Sequence, residues 1–109
     1  MAKIIQSTDE FNTILAQDKT VLLDFYADWC GPCQMQLPVV DQLSEKYADQ
    51  LEVLKIDVDK YPGLAQAYGV RSIPALFLVR DQAIQDKMVG YQSATVLEGK
   101  FKQLQLIAN

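Results

Sequence analysis

The segment from Thr20 to Ala27 restricts the fold most, because it is short and almost entirely apolar. It reads Thr-Val-Leu-Leu-Asp-Phe-Tyr-Ala, without the alternation that is typical of a strand with one side in water. A run this short and this apolar predicts a central strand that is covered on both faces. The fold must therefore place further elements on each side of a sheet.

The neighbouring segments alternate between strand-like and helix-like patterns. Further strands are predicted at Lys3 to Gln6, Leu51 to Val58, Ala75 to Arg80 and Ile84 to Gly90. Helices are predicted over residues 8 to 17, from about Cys33 to Ala48, between Pro62 and a terminating Gly69, and after Ser93. The order β-α-β-α-β-α-β-β-α predicts parallel pairing with right-handed crossovers and an antiparallel final hairpin. We therefore expect an α/β fold, a mixed five-stranded sheet flanked by four helices, as one domain over residues 1–109.

Two helices carry additional signals. Ser7, followed three residues later by Glu10, has the pattern of a capping box at the start of the first helix. The last helix is predicted to bury one stripe of side chains, made of Val96, Leu97, Phe101, Leu104 and Ile107.

Composition and charge exclude several classes of partner. The chain has 109 residues, of which 50% are hydrophobic, so a core can form without disulfide cross-links. The formal net charge is −4 and the lysines and arginines do not cluster, which argues against a nucleic-acid partner. No apolar run approaches the ~20 residues that span a bilayer, and the first residues lack the apolar region of a secretory signal. We expect a cytoplasmic monomer that binds neither nucleic acid nor membrane.

The two cysteines lie in Trp29-Cys30-Gly31-Pro32-Cys33, where the apolar strand ends and a helix begins. The N–H groups of a first helical turn stabilise a thiolate, so the pKa of a cysteine there should fall. We expect an exposed Cys30 that attacks a disulfide of another protein and a shielded Cys33 that resolves the mixed disulfide. Gly31 and Pro32 keep the turn narrow enough for a Cys30–Cys33 disulfide and contribute to its reduction potential.

Two other interpretations of the cysteine pair stay open. Both residues could be small buried hydrophobic side chains, or the pair could be half of a zinc site. A structural zinc site normally takes four protein ligands, and this chain has no histidine and no third cysteine. We therefore predict no metal and no cofactor other than the redox-active disulfide.

Asp24 is unusual because a carboxylate stands in a segment that should be buried on both faces. Burial disfavours the charged form, so the pKa of Asp24 should be raised. Asp24 could accept a proton from Cys33, directly or through water, or local backbone donors could satisfy it. Lys55, on the next predicted strand, could point to the same pocket and adjust the pKa of Asp24, or it could face solvent.

Pro74 ends the segment Arg71-Ser72-Ile73-Pro74 and precedes an apolar strand. Proline has no N–H to donate to a central ladder of strands. We therefore expect Pro74 at the entrance of that strand rather than inside it.

These segments, in this order and at this spacing, resemble the thioredoxin family over essentially all 109 residues. The segments that carry the resemblance are Asp24-Phe25-Tyr26-Ala27, Trp29-Cys30-Gly31-Pro32-Cys33, Pro38, Lys55-Ile56-Asp57-Val58-Asp59, Tyr68-Gly69-Val70-Arg71-Ser72-Ile73-Pro74 and Gly90. The resemblance implies the thioredoxin fold and a general protein-disulfide reductase.

The resemblance also implies a role for each site residue. It makes Cys30 the nucleophile and Cys33 the resolving cysteine, with Asp24 as a buried carboxylate and Lys55 beside it. It implies that Ile73–Pro74 is a cis peptide that faces the disulfide. The implied docking surface is flat and apolar, and it consists of Trp29, Gly31, Pro32, Ile73, Pro74 and the Val89-Gly90-Tyr91 loop.

The implied partners are disulfide-containing target proteins and a thioredoxin reductase. The reductase is either an NADPH-dependent flavin enzyme or a ferredoxin-linked iron–sulfur enzyme. A disulfide-forming oxidant is disfavoured by Gly31-Pro32 between the cysteines and by the lack of a secretory signal pattern, since an oxidant needs an oxidising compartment. The other alternative is a thioredoxin-fold binding subunit of a larger complex that turns nothing over. Replacing Cys30 and Cys33 by serine would separate the binding subunit from the reductase.

Three positions depart from the family pattern. Gln34 stands where a lysine or arginine is common, and Ala75 stands where threonine is usual after the proline. The last hairpin turn reads Asp81-Gln82 instead of Asn-Gly or Asp-Gly, so either Gln82 is strained or the loop is longer. These departures bear on partner preference and reduction potential rather than on the class of reaction.

Overall fold

A computed structural model describes residues 2–108 of the chain. The strands within these residues are β1 (Lys3–Ile4), β2 (Thr20–Tyr26), β3 (Leu51–Asp57), β4 (Ala75–Arg80) and β5 (Ala83–Val89). The helices are α1 (Thr8–Leu15), α2 (Gly31–Lys46), α3 (Pro62–Ala67) and α4 (Ala94–Gln103). Each predicted element is present and in the predicted order.

The strands form one five-stranded sheet in the order β1-β3-β2-β4-β5. β1, β3 and β2 run parallel, whereas β4 is antiparallel to β2 and β5 is antiparallel to β4. The prediction of parallel pairing is therefore wrong for β4, while the antiparallel final hairpin is confirmed. The six residues of α3 span only ~9 Å, far less than the ~23 Å of β3, so β4 starts near the end where β3 finishes.

β2 is buried along its whole length, as its apolar sequence predicts. One face of the sheet packs against α1 and α3, through a cluster that includes Phe11, Ile14, Leu23, Phe25, Ala65 and Phe77. The other face packs against α2 and α4, through a cluster that includes Leu22, Val40, Leu43, Leu76, Leu97 and Phe101. Helices therefore cover both faces, and the α/β arrangement is confirmed.

Two helices differ from the sequence prediction, one in where it begins and one in which side chains it buries. α2 begins at Gly31, two positions before the predicted Cys33, because Pro32 fits the first turn of a helix. In α4, Leu97 and Phe101 are buried, but Val96 is 46% exposed, so its assignment to the buried stripe is wrong. Val96 lies about 100° around the helix from Leu97 and faces away from the sheet.

The β4–β5 turn consists of Asp81 and Gln82, so the loop is not lengthened. Both residues have positive φ, 52° and 62°, in the left-handed region that favours glycine. Ser7 and Ser93 cap α1 and α4 through their side chains, as predicted. In the described part of the chain, no helix combines the length and the apolar character needed to cross a membrane.

Candidate active site

The two cysteines form a disulfide at the start of α2. Their Cα atoms are 5.2 Å apart, which one helical turn with Gly31 and Pro32 between them produces. Cys30 is the N-cap of α2, and its Sγ accepts a hydrogen bond from the backbone N–H of Cys33 at 3.2 Å. A sulfur at this position lies against the positive end of the helix, as the sequence predicts.

The prediction that Cys30 is exposed is wrong for this disulfide form. Cys30 is 6% exposed and Cys33 is fully buried, so the two differ in the expected direction but by little. Tyr26 and Ala27 form a small cluster with the two cysteines, and Ile73 packs against it. The N-cap position is covered by this contact, which sequence spacing alone does not reveal.

The cis-proline segment lies against the disulfide, and the Gly90 backbone is bonded to that segment. The Ile73–Pro74 peptide is cis, as the resemblance implied, and the Cys30 Sγ lies 3.7 Å from the Ile73 carbonyl oxygen. Pro74 immediately precedes β4, which confirms its predicted place at the strand entrance. The Pro74 carbonyl accepts a hydrogen bond from the Gly90 N–H at 2.8 Å. Gly90 has a φ of +88°, a conformation that suits glycine.

Trp29 forms the exposed side of this end of the sheet. Its side chain is 72% exposed, and its indole Nε1 donates to Asp59 Oδ2 at 2.9 Å. A groove of ≈ 160 Å³ lies beside it, lined by Trp29, Val58, Ala65, Val70, Arg71 and Ile73. Val58, Ala65 and Val70 were not predicted to be part of the site, since they come from the loops and the short helix between β3 and β4.

Asp24 is fully buried, and neither of its carboxylate oxygens has a hydrogen-bond partner among residues 2–108. It lies on β2 in register with Lys55 of β3. Burial raises the pKa of Asp24 to about 7, although the positive charge of Lys55 lowers it and the negative charge of Asp41 raises it further. The predicted pKa rise is confirmed in direction. The alternative that local backbone donors satisfy Asp24 is therefore wrong for the residues that the structure describes.

Lys55 is buried and does not face solvent. Its Nζ lies 3.7 Å from Asp41 Oδ1, and the same oxygen accepts a hydrogen bond from the Ala2 N–H at 3.0 Å. Sequence reasoning missed Asp41, which belongs to α2. The available signal was its spacing: it follows Cys33 by eight residues, so the two side chains lie about 80° apart around the helix, two turns along it.

Gln36 was also missed. It lies on α2, is fully buried and uses both ends of its amide. Its Nε2 donates to the Gln92 carbonyl oxygen at 2.9 Å, and its Oε1 accepts from the Gln92 N–H at 2.7 Å. These bonds attach the segment after β5 to the helix that carries the disulfide. A polar residue three positions after Cys33 was a weak signal in the sequence.

Gln34 and Ala75, two residues that depart from the family pattern, lie next to Cys33 and Pro74 in the chain. Gln34 is exposed, and its Nε2 donates to the Asp28 carbonyl oxygen at 3.3 Å. Ala75 is fully buried and lies in register with Phe25 of β2 and Val89 of β5. Within the described residues, no group of three or more histidine, cysteine, aspartate or glutamate side chains is placed to hold a metal ion.

Comparison with known proteins identifies the fold and the motif. The sequence model of the family described as Thioredoxin matches residues 2–103. The chain belongs to the thioredoxin family. A thioredoxin 1 from Synechococcus elongatus is 44% identical over 84 residues, which covers 77% of this chain and 78% of that relative. A thioredoxin from Chlorobaculum thiosulfatiphilum is 44% identical over 90 residues, with coverage of 81% and 83%.

A solved structure shows the same fold over nearly the whole chain. A mutant thioredoxin from Halobacterium salinarum superimposes with a TM-score of 0.88 at 39% identity, covering 99% of this chain and 94% of the other. The thioredoxin fold predicted from the sequence is therefore confirmed. With the Cys-Gly-Pro-Cys pair closed at the start of α2, the chain is a thiol–disulfide oxidoreductase of this family.

Proposed function

We propose that this thioredoxin reduces disulfides of target proteins through Cys30 and Cys33. One observation carries the proposal: Cys30 is the N-cap of α2, and its sulfur accepts the Cys33 N–H. After reduction, the same N–H and the positive end of the helix would stabilise a Cys30 thiolate, which is the form that attacks a disulfide. Gly31 and Pro32 hold this turn and help to set its reduction potential.

The reaction proceeds in two exchanges. The Cys30 thiolate attacks one sulfur of the target disulfide, forming a mixed disulfide and releasing the other target sulfur as a thiolate. The Cys33 thiolate then attacks Cys30 Sγ, which closes the Cys30–Cys33 disulfide and releases the second target thiolate. Two electrons pass to the target, and no group besides the two cysteines carries them.

Asp24 is proposed as the proton acceptor for Cys33. A thiol must lose its proton before the second exchange, and a carboxyl with a pKa of about 7 is suited to accept one at neutral pH. Its two oxygens have no other partner among the described residues, so they are available for this proton. Lys55 favours the charged form of Asp24 and thereby adjusts this pKa.

The docking of targets is proposed to involve Trp29, Ile73, Pro74 and Gly90. Ile73 packs against the disulfide, Gly90 is bonded to Pro74, and the exposed indole of Trp29, next to Cys30 in the chain, offers apolar area. A small surface of this kind suits modest affinity for many target proteins. The reductase that restores the dithiol is either a flavin enzyme using NADPH or a ferredoxin-linked enzyme. We propose a monomer that acts in the cytoplasm.

Reduction of insulin disulfides tests the function, with each of the two reductase types supplied separately. We expect turnover with one reductase and none for Cys30→Ser or Cys33→Ser. The two variants are matched controls for one another, because Cys33→Ser should accumulate a mixed disulfide that mass spectrometry detects, whereas Cys30→Ser should not. No insulin reduction with either reductase or with dithiothreitol would contradict the proposal. Trapping by Cys30→Ser instead would reverse the two roles.

A further inference from the structure

Gln36 is a fully buried amide in a helix whose other buried side chains mostly pack against the sheet. An apolar side chain would satisfy packing at such a position. A buried amide instead needs a donor and an acceptor, and each unpaired group would cost free energy. Gln36 meets this need with two short hydrogen bonds to the backbone of one residue, Gln92, which is 56 positions away.

The bonds from Gln36 continue into the surface next to the disulfide. The side chain of Gln92 donates to the Gly90 carbonyl oxygen at 3.1 Å. Gly90 in turn donates its N–H to the Pro74 carbonyl oxygen. The segment from Val89 to Gln92 is therefore fixed to α2 at one end and to the cis-proline segment at the other.

The fixed segment presents apolar side chains to solvent. Val89 is 54% exposed and Tyr91 is 43% exposed, and they flank Gly90. An ordered apolar rim binds a partner better than a mobile one, because less conformational entropy is lost on binding. The helix that carries Cys33 thus sets the position of one side of the docking surface directly, through Gln36.

We propose that Gln36 is a positioning residue for protein substrates, which holds the Val89–Gln92 segment in the conformation that extended target chains bind. The inference rests on the proposed disulfide-reductase function and extends it to substrate choice. Gln36 contacts neither sulfur in the described hydrogen bonds, so it should affect recognition of a protein disulfide more than the exchange itself. Small disulfides that do not reach this segment should be insensitive to it.

Gln36→Met tests the proposal, because methionine keeps the length and loses both hydrogen bonds. We expect the KM for insulin to rise about tenfold, with kcat nearly unchanged, because loss of the two hydrogen bonds leaves the segment less ordered. The rate with the small disulfide 5,5′-dithiobis(2-nitrobenzoate) and the reduction potential should stay at the wild-type level. Gln42→Met, at an exposed position of α2, is the matched control and should change neither KM nor kcat.

Amide hydrogen exchange gives an independent measurement. Exchange of the Gln92 N–H should be faster in Gln36→Met and unchanged in Gln42→Met, since Gln36 is the acceptor of that group among residues 2–108. This readout needs no activity, so it separates failure of the positioning inference from failure of the proposed function. If the wild-type protein reduces no disulfide while Gln92 exchange still depends on Gln36, the function fails and the attachment of the segment stands.

A second variant tests whether the donor matters. Gln36→Glu keeps an acceptor for the Gln92 N–H but, when ionised, places a negative oxygen against the Gln92 carbonyl. Protonation of the introduced carboxyl would restore a donor, so the raised KM should recover as pH falls, relative to wild type at each pH. An unchanged insulin KM in both variants would overturn the proposal. An equal loss of rate with insulin and with the small disulfide would also overturn it, because it would indicate a general structural role.

Discussion

Asp24 and Gln36 are both fully buried polar side chains near the same disulfide, but their surroundings are opposite. Each end of the Gln36 amide has a backbone partner, whereas neither oxygen of Asp24 has one among the described residues. A satisfied buried amide adds to stability, while an unpartnered carboxylate reduces it. Burial of a polar group therefore does not by itself indicate its role. A buried polar group with hydrogen-bond partners stabilises the fold, whereas one without them remains available to react.

Removing the charge of Asp24 should change the stability of the protein most. Its pKa is about 7 in the folded protein against a usual value of 3.8, so folding increases its affinity for a proton. The free energy of unfolding should therefore fall as pH rises from about 4 to about 7, by about 4 kcal/mol in total. Asp24→Asn should abolish this loss and be more stable than wild type at pH 8 by a similar amount.

Urea unfolding of the oxidised protein between pH 4 and pH 8 measures this difference. The other ionisable groups are shared by both proteins, so the difference between the two curves reports on Asp24. Parallel curves for Asp24→Asn and wild type would show that Asp24 has the same pKa folded and unfolded, and would remove the basis for the contrast.

The second test has the opposite sign. Gln36→Met should destabilise the protein by about 1–3 kcal/mol, because the N–H and carbonyl of Gln92 lose their buried partner. This change should be nearly independent of pH between 4 and 8, since no ionisable group is removed. Thermal unfolding at both ends of this range measures it, with Gln42→Met as control. A stabilising effect of Gln36→Met would mean that burial of the amide, like burial of Asp24, lowers the free energy of unfolding.

The third test concerns Asp41, whose Oδ1 lies 3.7 Å from the Nζ of Lys55, the residue in register with Asp24. Asp41→Asn removes a negative charge that raises the pKa of Asp24, so this pKa should fall below about 7. The change in stability should be at most about 1 kcal/mol, since the Asp41 side chain is partly exposed. Titration of the Asp24 carboxyl by ¹³C NMR measures the pKa.

Asp49→Asn is the matched control for Asp41. Asp49 is exposed after the end of α2, and its charge is not among those that shift the pKa of Asp24. Asp49→Asn changes the net charge by the same one unit as Asp41→Asn. A fall in the pKa of Asp24 of the same size in both variants would assign the effect to overall charge rather than to the position of Asp41.

The smallest effect is expected at the exposed hydrogen bond between Trp29 and Asp59. Trp29→Phe keeps a ring and removes the donor, but water can replace it at a position that is 72% exposed. Stability should change by less than about 0.5 kcal/mol. Urea unfolding at pH 7 checks this. A loss as large as that of Gln36→Met would show that burial does not determine how much these polar contacts contribute.

The local parts of the site could be predicted because their signals lie close together in the sequence. Cys30 and Cys33 stand at a strand-to-helix boundary, and an aspartate in an apolar strand indicates burial, which raises its pKa. The buried position of Lys55 stayed open, since one residue in a partly polar strand does not define its face. The structure resolves this through the register of Lys55 with Asp24.

Features that depend on distant partners could not be predicted. Gln36 bonds to the backbone of a residue 56 positions away. Because all residues except proline have the same backbone groups, the sequence does not indicate which of them will be the partner. The exposure of Cys30 depends on Ile73, which folding brings against it. The direction of β4 was also wrong, because alternation of strands and helices does not show that α3 is too short for a parallel return.

The Asp81–Gln82 turn joins β4 to β5 at the end of these strands that is far from the disulfide. Both residues of the turn have backbone conformations that favour glycine. Glycine at position 82 would relieve that unfavourable geometry without altering any group that meets a substrate. Thermal tolerance and redox behaviour can therefore diverge in this protein. A substitution in this turn could change the melting temperature of the protein while its specificity for target proteins stays the same.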